Sequence, residues 1–370
     1  MVSEYKFKLI FKTSTDERIY RCEDSIIVKL PSNRNSLTTS WLNGGYRENM
    51  EAIFNHQLKN PCKNNPDGLE GLTVSEYMKI TAQRLGLNPE RVSGLITSAK
   101  MDNVAISTKN FRNLQVTAII TGGINVNGGR AGDLASFFEE NGKFELMIGT
   151  INTILIINAR LHESTLLRAM MTAVEAKTVA LQELMAPSKY STGIATGSGT
   201  DKISVISNME SKNVLTNAGK HSKLGELIGK CVIEATKGAL AKQTNLTPHS
   251  QCVMLTRLER FGIDEEKYWK IASSNMKIKN KNKFLNDLRN FSRNPSVVAM
   301  IASILHIVDE IEWGLIPELS GKKTAHYIMK TLPTILKIDN LHLNEGKIIE
   351  NGSILENWVI ISSYCILNMI

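Results

Sequence analysis

Three hydroxyls and a carboxylate fall within six residues at Thr196-Gly197-Ser198-Gly199-Thr200-Asp201. In a flexible turn, such a carboxylate can orient water, and a hydroxyl can attack a carbonyl or bind an oxyanion. The competing role for Asp201 is to cap the turn. Upstream, Gly149-Thr150-Ile151-Asn152 stands directly before a continuous apolar run. Thr150 is a candidate nucleophile, and hydrolases that cut their own chain to free an N-terminal threonine use such a Gly-Thr junction. Its place at a strand start favours a quieter role, in which Thr150 and Asn152 satisfy backbone groups or hold substrate. In Thr172-Ala173-Val174-Glu175-Ala176-Lys177 the two charges lie two positions apart. On a helix they point about 200° apart and cannot act on one point. Glu175, flanked by small residues, is the better catalytic candidate. His221, just before a helix, is the best-placed base among seven histidines. The catalytic candidates are therefore Asp201, Glu175, Ser198 and Thr150.

A further segment, Thr121 to Asp133, carries glycines at 122, 123, 128, 129 and 132. Glycines let backbone N–H groups approach a ligand, and Arg130 offers a fork for a phosphate or carboxylate. It is not a P-loop, because Gly129-Arg130 stands where the Lys and Ser/Thr belong, and no GxGxxG occurs. With no HExxH, paired-His or CxxC spacing, no metal site and no protein-bound cofactor are expected.

These segments need a scaffold. Alternation of Tyr5, Phe7, Leu9 and Phe11 with lysines predicts a half-exposed strand, and Ser25–Leu30 predicts a second that pairs with it. Further strands are predicted at Leu95–Thr97, Val104–Ile106, Leu114–Thr121, Thr153–Ile157 and Ile203–Ser207, the fourth covered on both faces because it is apolar throughout. Thr73-Val74-Ser75-Glu76 is a capping-box pattern, and Gly86 suits the end of the helix it opens. Helical spacing also predicts helices over Glu163–Met185, ended by Pro187, and Leu224–Lys242, with a short one from Asp133 to Glu140. Residues 60–71, rich in Asn, Pro and Gly, read as a surface loop. Beyond Thr247 the pattern turns helical, with candidates near 250–260, 265–274, 283–291, 296–312 and 324–337. The expected fold is an α/β (or α+β) core with a mixed sheet covered by helices, residues 1–246, and an all-helical C-terminal appendage, residues 247–370.

Composition narrows the classes. With 42% hydrophobic residues over 370 positions the chain can bury a sizeable core. The net charge of +8 permits binding to nucleic acid or a membrane surface, but the lysines are scattered. The dense stretch Lys277–Lys283 reads as a solvated linker or helix start, and no nucleic-acid motif accompanies it. Five cysteines, an odd number without CxxC spacing, argue for reduced thiols. The opening stretch lacks the apolar run of a signal peptide, and no apolar segment approaches about 18 residues, so a cytoplasmic protein without a membrane or nucleic-acid partner is expected.

Six segments occur in order: LNGGY at Leu42–Tyr46, TSAKMDNVAI at Thr97–Ile106, TGGINVNGGRAGD at Thr121–Asp133, GTIN at Gly149–Asn152, TAVEAKTVAL at Thr172–Leu181 and GIATGSGTD at Gly193–Asp201. Together they resemble the adenosylcobinamide amidohydrolase family (CbiZ) over roughly Leu37 to Lys242. The departures are small: Gly123 stands where relatives often carry another small residue, and Ser198 stands in a segment that often reads GTGTD. The resemblance implies hydrolysis of the amide that joins the aminopropanol arm to the corrin ring of adenosylcobinamide. The products are adenosylcobyric acid and 1-aminopropan-2-ol, and the acid re-enters cobalamin synthesis. Cobalt then enters only with the corrinoid substrate. A corrinoid bears many amide arms, so Asn103, Asn127, Arg130, Asp133, Asn152, Thr196, Thr200 and His221 are the candidate substrate-binding residues. The resemblance assigns no nucleophile; a water attack with Asp201 or Glu175 as base is the expected mechanism. Competing readings are a non-catalytic corrinoid-binding protein, a phosphate-handling enzyme acting through Arg130, and a charge-driven nucleic-acid module. Homo-oligomerisation is left open.

Overall fold

Thr150–Ile157 is buried at all eight positions, as the apolar run requires of a strand covered on both faces. It is an interior strand of a six-stranded sheet in the computed structural model, which describes residues 6–58, 70, 71, 73–136, 138, 149–338 and 352–369. The chain divides into two compact units, Met1–Thr247 and Pro248–Ile370.

In the first unit the strands are β1 (Lys8–Lys12), β2 (Arg18–Cys22), β3 (Ser25–Lys29), β4 (Arg34–Thr38), β5 (Gly45–Arg47), β6 (Ala52–Gln57), β7 (Val92–Thr97), β8 (Ala105–Phe111), β9 (Leu114–Gly123), β10 (Gly128–Gly129), β11 (Thr150–Ile157), β12 (Arg160–Leu161), β13 (Gly197–Ser198), β14 (Lys202–Asn208) and β15 (Val214–Leu215). The helices are α1 (Val74–Arg84), α2 (Glu163–Glu183) and α3 (Lys223–Thr244). Two sheets stack. One runs β5-β4-β14-β11-β9-β8, with β11 and β14 parallel and its other neighbours antiparallel. The other runs β1-β2-β3-β6-β7, antiparallel except for β6 and β7. The two-residue period of a strand sends alternate residues to opposite faces. Ile151, Leu155 and Ile157 of β11 join the core beneath α2 and α3, with Leu166, Ala173, Ile228 and Val232. Ile154 and Ile156 meet Ile26, Val28, Ile53 and Leu95 of the other sheet. The far face of that second sheet, Ile27, Phe54 and Val92, is covered by Val74, Met78 and Ala82 of α1. The layers are therefore helix, sheet, sheet, helix pair.

Local signals set the helix ends. Thr73 accepts from Glu76 N at 3.1 Å, and Gly86 follows α1 with φ +67°. Ser222 accepts from Gly225 N at 3.1 Å to open α3. Two expectations are revised. β1 and β3 do not pair, because β2 lies between them; the charges of Arg18 and Arg21 hid that strand. Asp133–Ser136 and Phe138 are not helical. Asp133 instead accepts from Arg130 N at 2.7 Å and Ser188 Oγ at 2.6 Å, closing a turn; the rest of the expected helix lies outside the described residues. So does nearly all of the expected loop at 60–71.

The second unit comprises α4 (Met254–Leu258), α5 (Glu265–Asn275), α6 (Lys281–Phe291), α7 (Pro295–Glu312), α8 (Glu318–Lys330), α9 (Leu332–Ile335) and α10 (Ile354–Asn368). Its core holds Tyr268, Phe284, Ile301, Ile304 and Trp358. α10 escaped the periodicity because it is apolar on nearly every side, with ten residues from Ile354 to Ile366 buried. The helix expected over 324–337 is two helices, broken before Leu332-Pro333. Among the described residues no single helix is long and apolar enough to cross a membrane, while α6 and α7 together have such a composition but meet at 83°.

Candidate active site

β11 and β14 run parallel, so Thr150 and Lys202 start at the same end of the sheet, where antiparallel β9 finishes at Gly123. Two glycine-rich loops meet there. β10 pairs with β13, Gly128 opposite Ser198 and Gly129 opposite Gly197. Thr196 N donates to Gly129 O at 2.9 Å, and Ala131 N donates to Thr196 Oγ1 at 2.9 Å. Beneath them Asn127, almost fully buried, donates to Gly149 O at 2.7 Å and accepts from Gly199 N at 3.2 Å. Thr200 Oγ1 donates to the same carbonyl at 2.6 Å. Three segments distant in the chain are thereby held as one rigid wall.

Asp201 is the polar hub of that wall. Its Oδ1 accepts from Ile151 N at 2.8 Å and Ser198 Oγ at 2.5 Å. Its Oδ2 accepts from Ser198 N at 3.1 Å and from the Lys177 ammonium. A carboxylate offers about four acceptor positions, and all four are used. Side-chain exposure is 15% for Asp201 and 11% for Lys177, so the pair is largely desolvated and its charge-assisted bonds are strong. Gly197 makes the approach possible: a Cβ there would lie 2.5 Å from Asp201 Oδ2 and 2.6 Å from Lys177 Nζ.

Lys177 and Ser198 face a cavity of about 610 Å3 between α2 and the two loops. Val174, Lys177 and Thr178 reach it from α2 at helical spacings of three and four. Asn127, Arg130, Asp133 and Thr196 reach it from the loops, and Leu134 and Tyr190 add apolar surface. Thr178 Oγ1 donates to Thr196 O at 3.1 Å, tying helix to loop. Burial alone would raise the Asp133 carboxyl, but bonds from Ser188, Ser191 and Arg130 N, with the nearby guanidinium, outweigh it and hold the group below its ordinary value.

Of the residues singled out in the sequence, Ser198, Asp201, Asn127, Arg130, Asp133, Thr196 and Thr200 converge on this wall. Others do not. Glu175 points away, pairs with Lys220 at 2.7 Å and is 49% exposed, because its neighbour two positions on takes the inward direction. Lys177 is the residue that sequence reasoning passed over; its spacing from Val174 and Thr178 was the available signal. Thr150 is buried and donates to Thr200 O at 2.8 Å, so its hydroxyl braces the loop. Asn152 points to the other face of the sheet, donating to Asn55 Oδ1 and Ile96 O at 2.8 Å, and clamps the two sheets together. Asn103 donates to Gln243 Oε1 at 2.7 Å at the end of α3. His221 is exposed and does not line the cavity. Asn103, Asn152, His221, Glu175 and Thr150 are thus not among the residues that line the cavity. Among the described residues no three His, Cys, Asp or Glu side chains gather as metal ligands.

The model of the adenosylcobinamide amidohydrolase family (CbiZ) matches residues 10–248, which leaves the helical unit outside the match. The chain is 32% identical over 234 residues to the uncharacterized protein MJ1613 of Methanocaldococcus jannaschii, covering 60% of this chain and 88% of that one. It is 30% identical over 207 residues to the adenosylcobinamide amidohydrolase of Methanosarcina mazei, covering 54% of this chain and 86% of that one. The PH0078 protein from Pyrococcus horikoshii aligns over 64% of this chain and 82% of its own, with a TM-score of 0.31 and 12% identity, too loose a likeness to carry any argument.

Proposed function

Because the chain belongs to the adenosylcobinamide amidohydrolase family, we propose that it hydrolyses the amide between the corrin ring and the aminopropanol arm of adenosylcobinamide, with Ser198 as nucleophile. The products are adenosylcobyric acid and 1-aminopropan-2-ol, a salvage step toward cobalamin. The observation that carries the reading is the Ser198–Asp201–Lys177 cluster on the wall of a cavity that Arg130, Asp133, Asn127, hydroxyl and apolar groups also line.

The volume of about 610 Å3 is in the usual range for organic ligands. It accommodates the amide arm, while the ring rests on the apolar rim of Leu134, Val174 and Tyr190. The hydroxyl of Ser198 attacks the amide carbon and passes its proton to Asp201 Oδ1 along the existing 2.5 Å bond. The ammonium of Lys177, which keeps two N–H groups beyond the one given to Asp201, stabilises the tetrahedral oxyanion. Collapse breaks the C–N bond, and the proton on Asp201 goes to the leaving aminopropanol nitrogen. Acylation removes the Ser198 hydroxyl proton and frees its acceptor position on Asp201 Oδ1; a water there attacks the ester carbon, gives its proton to Asp201, and the C–O bond breaks as that proton returns to Ser198 Oγ, releasing the acid. Asp201 shuttles protons through one acceptor position, which the Ser198 hydroxyl holds at rest and water takes only after acylation, since its other three positions stay occupied.

The test is incubation of the purified protein with adenosylcobinamide and detection of 1-aminopropan-2-ol, with the intact mass of the protein followed in parallel. Amine release by the wild type, its loss in Ser198→Ala and a transient mass increase equal to the corrinoid acyl group are the expected results. No amine release by the wild type defeats the hydrolase reading; release by Ser198→Ala at the wild-type rate defeats the nucleophile.

A further inference from the structure

The helical unit carries a cavity of about 800 Å3 bounded by the α5–α6 junction, α6 and the C-terminal end of α10. Lys277, Lys279 and Lys283 line it. No carboxylate of a described residue pairs with any of the three, whereas Lys281, between them in sequence, turns away and binds Glu266 at 2.8 Å. Asp287 is the sole carboxylate of the lining and makes no ion pair among the described residues. Apolar groups share the lining: Phe284 is buried, while Leu367 and Met369 are 44% and 45% exposed.

We propose that this cavity binds a phosphate ester carrying an apolar group. Three uncompensated ammonium groups within seven positions exceed what one carboxylate neutralises, while a phosphate ester brings up to about two negative charges per group and several acceptor oxygens. Lysine serves phosphate as a point charge. A bare inorganic ion would leave Leu367 and Met369 facing water, and an organic body of the ester removes that surface from solvent. The volume suits an organic ligand. Soluble nucleotides and phospholipid headgroups share this chemistry.

The full chain is titrated with ATP, with inorganic triphosphate and with phosphatidylglycerol vesicles. The expected result is saturable binding of ATP or of vesicles. ATP, if it is the ligand, binds at least about tenfold more tightly than inorganic triphosphate. Binding weakens about tenfold or more in K277A/K279A/K283A and severalfold in L367S/M369S. A control of equal charge loss outside the cavity, K267A/K270A/K281A, changes it less than about twofold. ATP binding assigns a soluble ester, and vesicle binding with the same residue dependence assigns a lipid headgroup. Equal losses in both triple variants, triphosphate binding as tight as ATP, or no binding in any arm overturns the proposal.

Discussion

Two buried carboxylate–cation clusters in the first unit are built from nearly the same parts and have opposite fates. Glu17 accepts from the hydroxyls of Thr13 and Thr15 and from Arg34 Nε at 2.6 Å, with 0% exposure for Glu17 and 2% for Arg34. Asp201 accepts from a serine hydroxyl, two backbone amides and Lys177, but beside an open cavity. Both satisfy a desolvated charge. Sealed on all sides, the first can only hold β4 to the β1–β2 turn. The second leaves a hydroxyl and an ammonium facing a space that a substrate can enter. Hydrogen-bonding chemistry therefore does not make a site; access to it does.

The sharpest way to break this contrast is Ser198→Ala, for which turnover falls by about a thousandfold or more with the melting temperature almost unchanged. Activity within tenfold of wild type would leave the two clusters equivalent. The mirror experiment is Glu17→Ala. Arg34 then keeps only the half-exposed Glu210 at 3.4 Å as a carboxylate partner, a loss that costs about 3 kcal/mol in urea unfolding, with the turnover of the folded fraction retained. Gly197→Ala sharpens the comparison further, because the added methyl lies 2.5 Å from Asp201 Oδ2. Displacing the carboxylate lowers turnover by about 10–100-fold, with KM less affected. Asp133, at the rim, gives a pH signature. Its folded carboxyl is held below its ordinary value, so the stability it contributes is fully present above the unfolded pKa of about 3.9. It is lost as the pH falls through the lower folded value, and a comparison of wild type with Asp133→Asn by acid unfolding shows the difference shrinking only there. The smallest effect belongs to Glu175→Ala, an exposed ion pair with Lys220. Turnover stays within about twofold and stability within about 0.5 kcal/mol.

Parts of this arrangement were legible in the linear order. Apolar alternation located β1, a continuous apolar run located β11, and the capping box at Thr73 marked the start of α1, because such signals depend on neighbours along the chain. The loops at Thr121–Asp133 and Gly193–Asp201 stood out by composition, and seven of the twelve marked residues do meet on the wall. The choice between Glu175 and Lys177 was not legible. Both lie on one helix, and only the side to which β14 and the Thr196–Asp201 loop pack decides which turns inward. The direction of Asn152 was not legible for a related reason: a one-residue step in a strand reverses the face, and the partner across that face, Asn55, lies 97 positions away.

The amino-acid order by itself determined the central strand, the main helices of the first unit, the change of character near residue 247 and the family, since each is written in local pattern or in motif sequence. The tertiary structure alone decided which carboxylate is sealed and which is open, that Lys177 rather than Glu175 joins Ser198, and that Thr150 and Asn152 brace the scaffold. Burial and direction are properties of packing between segments far apart in the chain, and no local pattern encodes them.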